Sequence, residues 1–271
     1  MGDSTERRIV LITGASRGIG AETAKVLAAA GDHVIINYRE KRKRAQMIAD
    51  EIGAAGGSAS IAGADIADAD AAAALIVGVV AEFGRLDVLV LNASGGLERA
   101  AAPGYAMALN RDAQVRLVRE VLPHLPSGGR IVFVTSHQAH FHGRKPVPAD
   151  YEPIAASKRA GEDALRAMIP GLAERGVGLN VVSGDMIDGT IIVRLLERRN
   201  PEAVSDRRDH GALPTVAEFA AVVGEAASAA SESGQAFYVG GPDYLAQGVA
   251  GDIPAQSNGF SVAPLESTAG P

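Results

Sequence analysis

The chain has 271 residues, 47% of them hydrophobic, with a formal net charge of −6 and no cysteine. That length fits one large α/β domain. The acidic balance disfavours nucleic acid as a partner, and the absence of thiols rules out disulfides, thiol catalysis and cysteine-ligated metal. No apolar run approaches the roughly eighteen residues that cross a bilayer. Met1–Glu6 lacks the apolar stretch of a signal peptide, so a cytoplasmic protein without membrane partners is expected.

An apolar strand over Arg8–Thr13 runs into Thr13-Gly14-Ala15-Ser16-Arg17-Gly18-Ile19-Gly20, which opens a helix over Gly18–Ala30. In that order, a strand, a glycine-rich turn and a helix make a cradle for the pyrophosphate of a dinucleotide. Gly14 permits the tight turn, Gly18 lets phosphate approach the backbone, and Gly20 lets the helix pack closely. The helix N-terminus supplies N–H groups and the positive end of its dipole. The second strand, His33–Tyr38, ends in Asn37-Tyr38-Arg39. A chain that binds NAD wants an acid there for the ribose 2′-hydroxyl, whereas Arg39 and Arg17 suit a 2′-phosphate, so NADP(H) is the expected cofactor.

Further strands are expected at Ser58–Gly63, Asp87–Asn92, Arg130–Ser136, Val177–Ser183 and Ala236–Val239. Helices are expected at Lys41–Ala54, Ala69–Phe83, Pro103–Leu122, Pro153–Glu174 and Thr215–Ala230, the last opened by the capping box Thr215-Val216-Ala217-Glu218. This alternation, with strands apolar on both faces, predicts a Rossmann-like doubly wound parallel sheet of about seven strands in a three-layer αβα sandwich. The expected organisation is one domain over residues 1–249 and a tail over 250–271. Within the domain, Met186–Leu213 is read as a short helix plus a mobile loop, a candidate substrate lid.

The TGxxxGxG turn resembles that of the short-chain dehydrogenase/reductase family, and matching positions follow in order over residues 7–242. The resemblance implies adenine contacts at Asp65 and Ile66. It implies a cofactor-facing loop at Asn92-Ala93-Ser94, and a backbone contact to the carboxamide at Ile187. It also implies a serine, Ser136, that holds the substrate oxygen, an asparagine, Asn110, that holds a water, and a lysine, Lys158, on the nicotinamide ribose. Homodimers or homotetramers are implied as well, through a face of Ala155, Ala156, Arg159, Ala160 and Asp163.

One position departs from the family. Its general acid is a tyrosine four residues before the lysine, one helical turn away on the same face. Here that residue is Ile154, which carries no proton to give. Tyr151, three residues earlier, is the first candidate to replace it. His137, His140 and His142 could also protonate an oxyanion at neutral pH; they have no completing carboxylate, so no metal site is expected and they are read as surface or substrate-lining. A substrate phenol beside the ketone is a third source of the proton. A second departure, Asp185, stands at the turn after the sixth strand. The resulting expectation is an NADPH-dependent carbonyl reductase or alcohol dehydrogenase acting on a small molecule, with an atypical proton donor. The alternative is a catalytically silent NADP(H)-binding partner subunit or sensor.

Overall fold

Short runs rich in Val, Ile and Leu are buried on both faces in a parallel sheet, because each crossover lays a helix over the sheet. A computed structural model describes residues 7–96, 102, 104–199, 201–228 and 233–246. Its strands are β1 (Ile9–Ile12), β2 (His33–Tyr38), β3 (Ser58–Gly63), β4 (Val88–Leu91), β5 (Arg130–Ser136), β6 (Gly178–Gly184) and β7 (Ala236–Val239). All pair in parallel, in the order β3-β2-β1-β4-β5-β6-β7. The order reverses between β1 and β4, and a crevice at the carboxyl ends of the strands there is where such sheets hold ligands.

The helices α1 (Gly18–Ala29), α2 (Arg42–Ala54) and α3 (Ala69–Phe83) stand as expected to within a residue. Asp68 caps α3 by accepting from the Ala71 N–H, and Gly84, left-handed at φ 75°, ends it. On one face of the sheet Leu27, Phe219 and Val223 pack on Val10, Ile12 and Val90. On the other, Leu117, Val121 and Leu165 pack on Leu11, Leu89 and Ile131.

Three segments differ from expectation. The helix expected over Pro103–Leu122 is instead α4 (Tyr105–Met107), a π-helical stretch (Ala108–Ala113) carrying Asn110, and α5 (Gln114–Val121), closed by a 3₁₀ turn (Leu122–His124). Pro103 lies outside the described residues. A short helix, α6 (His137–His140), follows β5, and the helix expected over Pro153–Glu174 splits into α7 (Glu152–Arg166) and α8 (Ile169–Ala173). Pro170 explains the split, since it lacks an N–H and crowds the preceding turn.

The third is the lid segment, which is two helices rather than a helix and a loop: α9 (Ile191–Arg199) and α10 (Pro201–Asp209), with Pro201 at the first helical position of the second. Arg207 on α10 donates to Asp185 Oδ2 from Nε at 2.6 Å and from Nη2 at 2.5 Å, with both side chains largely buried. The Asp185 turn thus holds the lid helix. Then α11 (Val216–Ser228) leads to β7, and its start carries the expected reciprocal bonds between Thr215 and Glu218. Among the described residues no helix is long and apolar enough to cross a membrane. One compact unit ends at Gly241. In the second, Pro242–Pro271, the helix α12 (Pro242–Ala246) is described, while the 249/250 boundary and the tail over 250–271 fall outside the described residues.

Candidate active site and cofactor cradle

The glycine-rich turn connects the end of β1 to α1 and is fastened from below. The Asn37 side chain is buried and fully engaged: Oδ1 accepts from the Gly14 N–H at 3.3 Å, and Nδ2 donates to the carbonyls of Ala62 (3.2 Å) and Ala64 (3.1 Å). It therefore shapes the turn from the protein side. Tyr38 is also buried, its ring and hydroxyl lying over Gly63, where an added Cβ would come within 3.0 Å of them. Asn92 Nδ2 donates to the carbonyls of Thr13 (2.9 Å) and Gly14 (3.3 Å), while Thr13 Oγ1 accepts from the N–H groups of Asn92 and Ala93, both at 3.0 Å.

Two glycines of the turn meet demands a side chain would violate. Gly20 sits so close to Asn92 Nδ2 that a Cβ would come within 2.5 Å of it. Gly18 adopts φ +56° with open space above it, a position L-residues rarely occupy. A tight turn, open space above Gly18 and a helix N-terminus are the requirements of a pyrophosphate, so the residues present fit a dinucleotide. Ser16, Arg17 and Gly18 line an open groove of about 330 Å³ together with Lys25 and Arg44. Arg39, at the end of β2, donates from Nη1 to Tyr105 Oη at 2.6 Å and from Nε to Glu40 at 3.2 Å. Asp65 Oδ1 accepts from the Ala67 N–H at 2.9 Å, which fixes the turn that presents the buried Ile66. Ser94, in the loop after β4, is exposed, and Ile19 and Ala93 are partly buried.

At the other end of the crevice, Ser136 closes β5 and caps α6, its Oγ accepting from the Ala139 N–H at 3.3 Å. Tyr151 is the N-cap residue of α7, and its hydroxyl lies 3.2 Å from Ser136 Oγ. The two residues, fifteen apart in sequence, meet because Pro153 within the first turn starts the helix immediately after Tyr151. Burial pushes the Tyr151 phenol above its usual pKa, and the Ser136 hydrogen bond offsets only part of that. Ile154 is buried on the same helix, its Cδ1 against Gly96.

Lys158 is 9% exposed, and desolvation brings its ammonium down to about 8. Asn110, buried, accepts from the Gly95 N–H at 3.2 Å and donates to the Gly95 carbonyl at 3.0 Å and to Ser157 Oγ at 2.9 Å. Its amide thus ties the loop after β4 to α7. Close packing reinforces this tie, since a Cβ at Gly161 on α7 would overlap the Asn110 carbonyl. Ile187 is buried, and its carbonyl accepts from Thr190 Oγ1 at 2.8 Å.

Two histidines are not where the sequence led us to expect them. His137 is buried, bonded to Ser183 Oγ (2.8 Å) and to the Gly240 carbonyl (3.0 Å), and burial lowers its pKa. His140 is buried between Glu162 (2.9 Å) and Tyr238 Oη (3.1 Å). Glu162, with no exposed surface, also accepts from Arg166 at 2.8 Å. Its carboxyl is held below the usual range by the His140 and Arg166 partners against the opposing effect of burial. Both imidazoles are thus structural clamps rather than surface or substrate-lining groups, and only His142, bonded to Glu152 at 2.7 Å, lies near solvent. Sequence reasoning missed Glu162 and Tyr105. The first had a faint signal in its i, i+4 spacing to Lys158 and Arg166, and the second had none. Ala155 is buried within the protomer and so does not belong to the outward small-residue face expected of it. Among the described residues no three His, Asp or Glu side chains group as a metal site.

Comparison with known proteins agrees with this geometry. Residues 8–200 match the short chain dehydrogenase family. Versicolorin reductase stcU of Emericella nidulans is 33% identical over 182 residues, 65% of this chain and 67% of that protein. The 1-cyclohexenylcarbonyl-CoA reductase of Streptomyces collinus is 31% identical over 188 residues, 67% of this chain and 65% of that protein. The crystal structure of the angucycline C-6 ketoreductase LanV with bound NADP superposes with a TM-score of 0.73 at 29% identity, covering 86% of this chain and 95% of that one. The chain belongs to the short-chain dehydrogenase family and is an oxidoreductase of that family.

Proposed function

We propose that the protein is an NADPH-dependent ketone reductase in which Tyr151 replaces the tyrosine absent at position 154. The observation that carries this reading is the 3.2 Å approach of the Tyr151 hydroxyl to Ser136 Oγ. A substrate oxygen placed against both groups would accept two hydrogen bonds as negative charge develops on it. Burial keeps the phenol protonated at neutral pH, the state in which it can donate. NADPH, when bound, supplies the hydride. The turn Gly14–Gly20 would hold its pyrophosphate, Arg39 and Arg17 the 2′-phosphate, Asp65, Ile66 and Asn92–Ser94 the adenosine side, Ile187 the carboxamide and Lys158 the ribose. Asn37 and Tyr38 support this site from beneath. Asn110, whose amide ties the loop after β4 to α7, would hold a water there.

For the substrate, the similarity to versicolorin reductase and to an angucycline ketoreductase supports a polycyclic, hydroxylated aromatic ketone. The similarity to 1-cyclohexenylcarbonyl-CoA reductase favours a second reading, reduction of a carbon–carbon double bond conjugated to a carbonyl. The same Ser136–Tyr151 pair would then hold the carbonyl oxygen. Assembly as a homodimer or homotetramer is part of the proposal. Titration of NADPH fluorescence, followed by NADPH oxidation against hydroxyaryl ketones and conjugated enones, tests both readings. Turnover of ketones alone supports the first and turnover of enones alone the second, while binding without turnover on either panel would leave a silent NADP(H)-binding subunit.

A further inference from the structure

We propose that Tyr105 is a coenzyme-specificity residue, which holds the Arg39 guanidinium ready for a 2′-phosphate. The inference rests on the NADPH assignment above and adds to it a residue from a distant part of the chain. Arg39 leaves the end of β2 and Tyr105 opens α4, 66 residues later, yet Arg39 Nη1 donates to Tyr105 Oη at 2.6 Å. The Tyr105 ring is partly buried and packs, as do Ala62, Ala67 and Ala93, against the core cluster that includes Ile66. Ile66 and Ala93 belong to the wall assigned to the adenosine side, so Tyr105 brings its hydroxyl to Arg39 from that wall.

The chemistry of the pair makes it selective. A free arginine on the surface samples many rotamers, and ordering it upon binding costs entropy that a preset side chain has already lost. Glu40, a second partner of Arg39 at 3.2 Å, also orders the guanidinium, but its negative charge opposes an incoming phosphate. The Tyr105 hydroxyl orders it without adding charge. The contribution therefore appears only for ligands that carry the 2′-phosphate, because only those engage Arg39.

The experiment is calorimetric titration of the full chain with NADPH, NADH, 2′,5′-ADP and 5′-ADP, comparing the parent with Tyr105→Phe, Arg39→Ala and the double variant. Phenylalanine keeps the buried ring and removes only the hydroxyl. We expect Tyr105→Phe to weaken NADPH and 2′,5′-ADP by roughly fivefold, the size of one hydrogen bond, with NADH and 5′-ADP changed less than twofold. In the Arg39→Ala background the second substitution should add nothing, since the group it positions is gone. Equal weakening of NADH and NADPH would reduce Tyr105 to a general wall residue and overturn the proposal, as would a change below twofold for NADPH. If Arg39→Ala weakens NADPH while Tyr105→Phe does not, the inference fails and the NADPH assignment stands. If the parent shows no preference for the 2′-phosphate, both fall together.

Discussion

The two ends of the crevice are built differently. At the cradle, the turn Gly14–Gly20, the strand before it and the helix after it are contiguous in sequence, and the side chains of Asn37, Thr13 and Asn92 complete the turn's hydrogen bonds. At the other end, the side chains are joined across separate segments: Tyr151 meets Ser136, His140 meets Glu162 and Tyr238, and Arg207 meets Asp185. A site made locally keeps its residue spacing, because the turn geometry demands it. A site made by tertiary contacts can move a functional group to another position if the packing delivers it to the same place. On the proposed reading, that freedom lets Ile154 stand in a helix whose N-cap residue, Tyr151, supplies the phenol instead.

Replacing Tyr151 by Phe should lower turnover by about 10² to 10⁴, the usual cost of a lost general acid, in the NADPH-oxidation assay, while NADPH affinity stays within twofold. Comparable loss of affinity would place Tyr151 in the cofactor cradle instead and erase the division between the two ends. Glu162→Ala leaves His140 and Arg166 facing a space without a carboxylate. Urea denaturation should show a loss of about 3 kcal/mol, toward the lower end for a broken buried pair because Arg166 reaches solvent. A change near zero would mean that the network does not clamp α6 to α7.

Smaller effects belong to the cradle and the lid. Arg39→Ala should weaken NADPH by about tenfold, one charge-assisted contact, and leave NADH unaffected in fluorescence titration. Arg207→Ala should release α10 and speed proteolytic cleavage between residues 186 and 213, since it leaves the largely buried Asp185 carboxylate without its partner. An unchanged digestion pattern would show that α10 is held by other contacts.

The smallest effect concerns Lys158. Its folded pKa, about 8, lies below the ordinary 10.5, so the buried ammonium costs stability fully below about pH 8 and stability rises between there and pH 10.5. An anionic cofactor beside it should raise that pKa. NADPH binding at pH 8 should therefore take up as much as about half a proton, measured by calorimetry in two buffers of different ionisation enthalpy. No uptake would separate Lys158 from the cofactor.

What the sequence made legible follows the same division. The seven strands, α1 to α3 and the capping box at Thr215 could be read because apolar runs, Gly14–Gly20 and Thr215–Glu218 are local signals. The π-helical stretch around Asn110 could not, since a lengthened turn leaves the apolar spacing almost unchanged. The burial of His137 and His140 was also hidden, because a histidine just after Ser136 looks polar until Ser183, Gly240, Glu162 and Tyr238 arrive from elsewhere to satisfy it. Asn37 was legible as part of the cradle but not as its underside.

On the reading proposed above, one phenol has changed its place in the chain without leaving the site. A crystal structure with NADP and a bound hydroxyaryl ketone tests it most directly. The account predicts that Tyr151 Oη and Ser136 Oγ both lie within about 3.5 Å of the ketone oxygen. A ketone oxygen bonded to the ligand's own hydroxyl or to a histidine, with Tyr151 turned away, would contradict it.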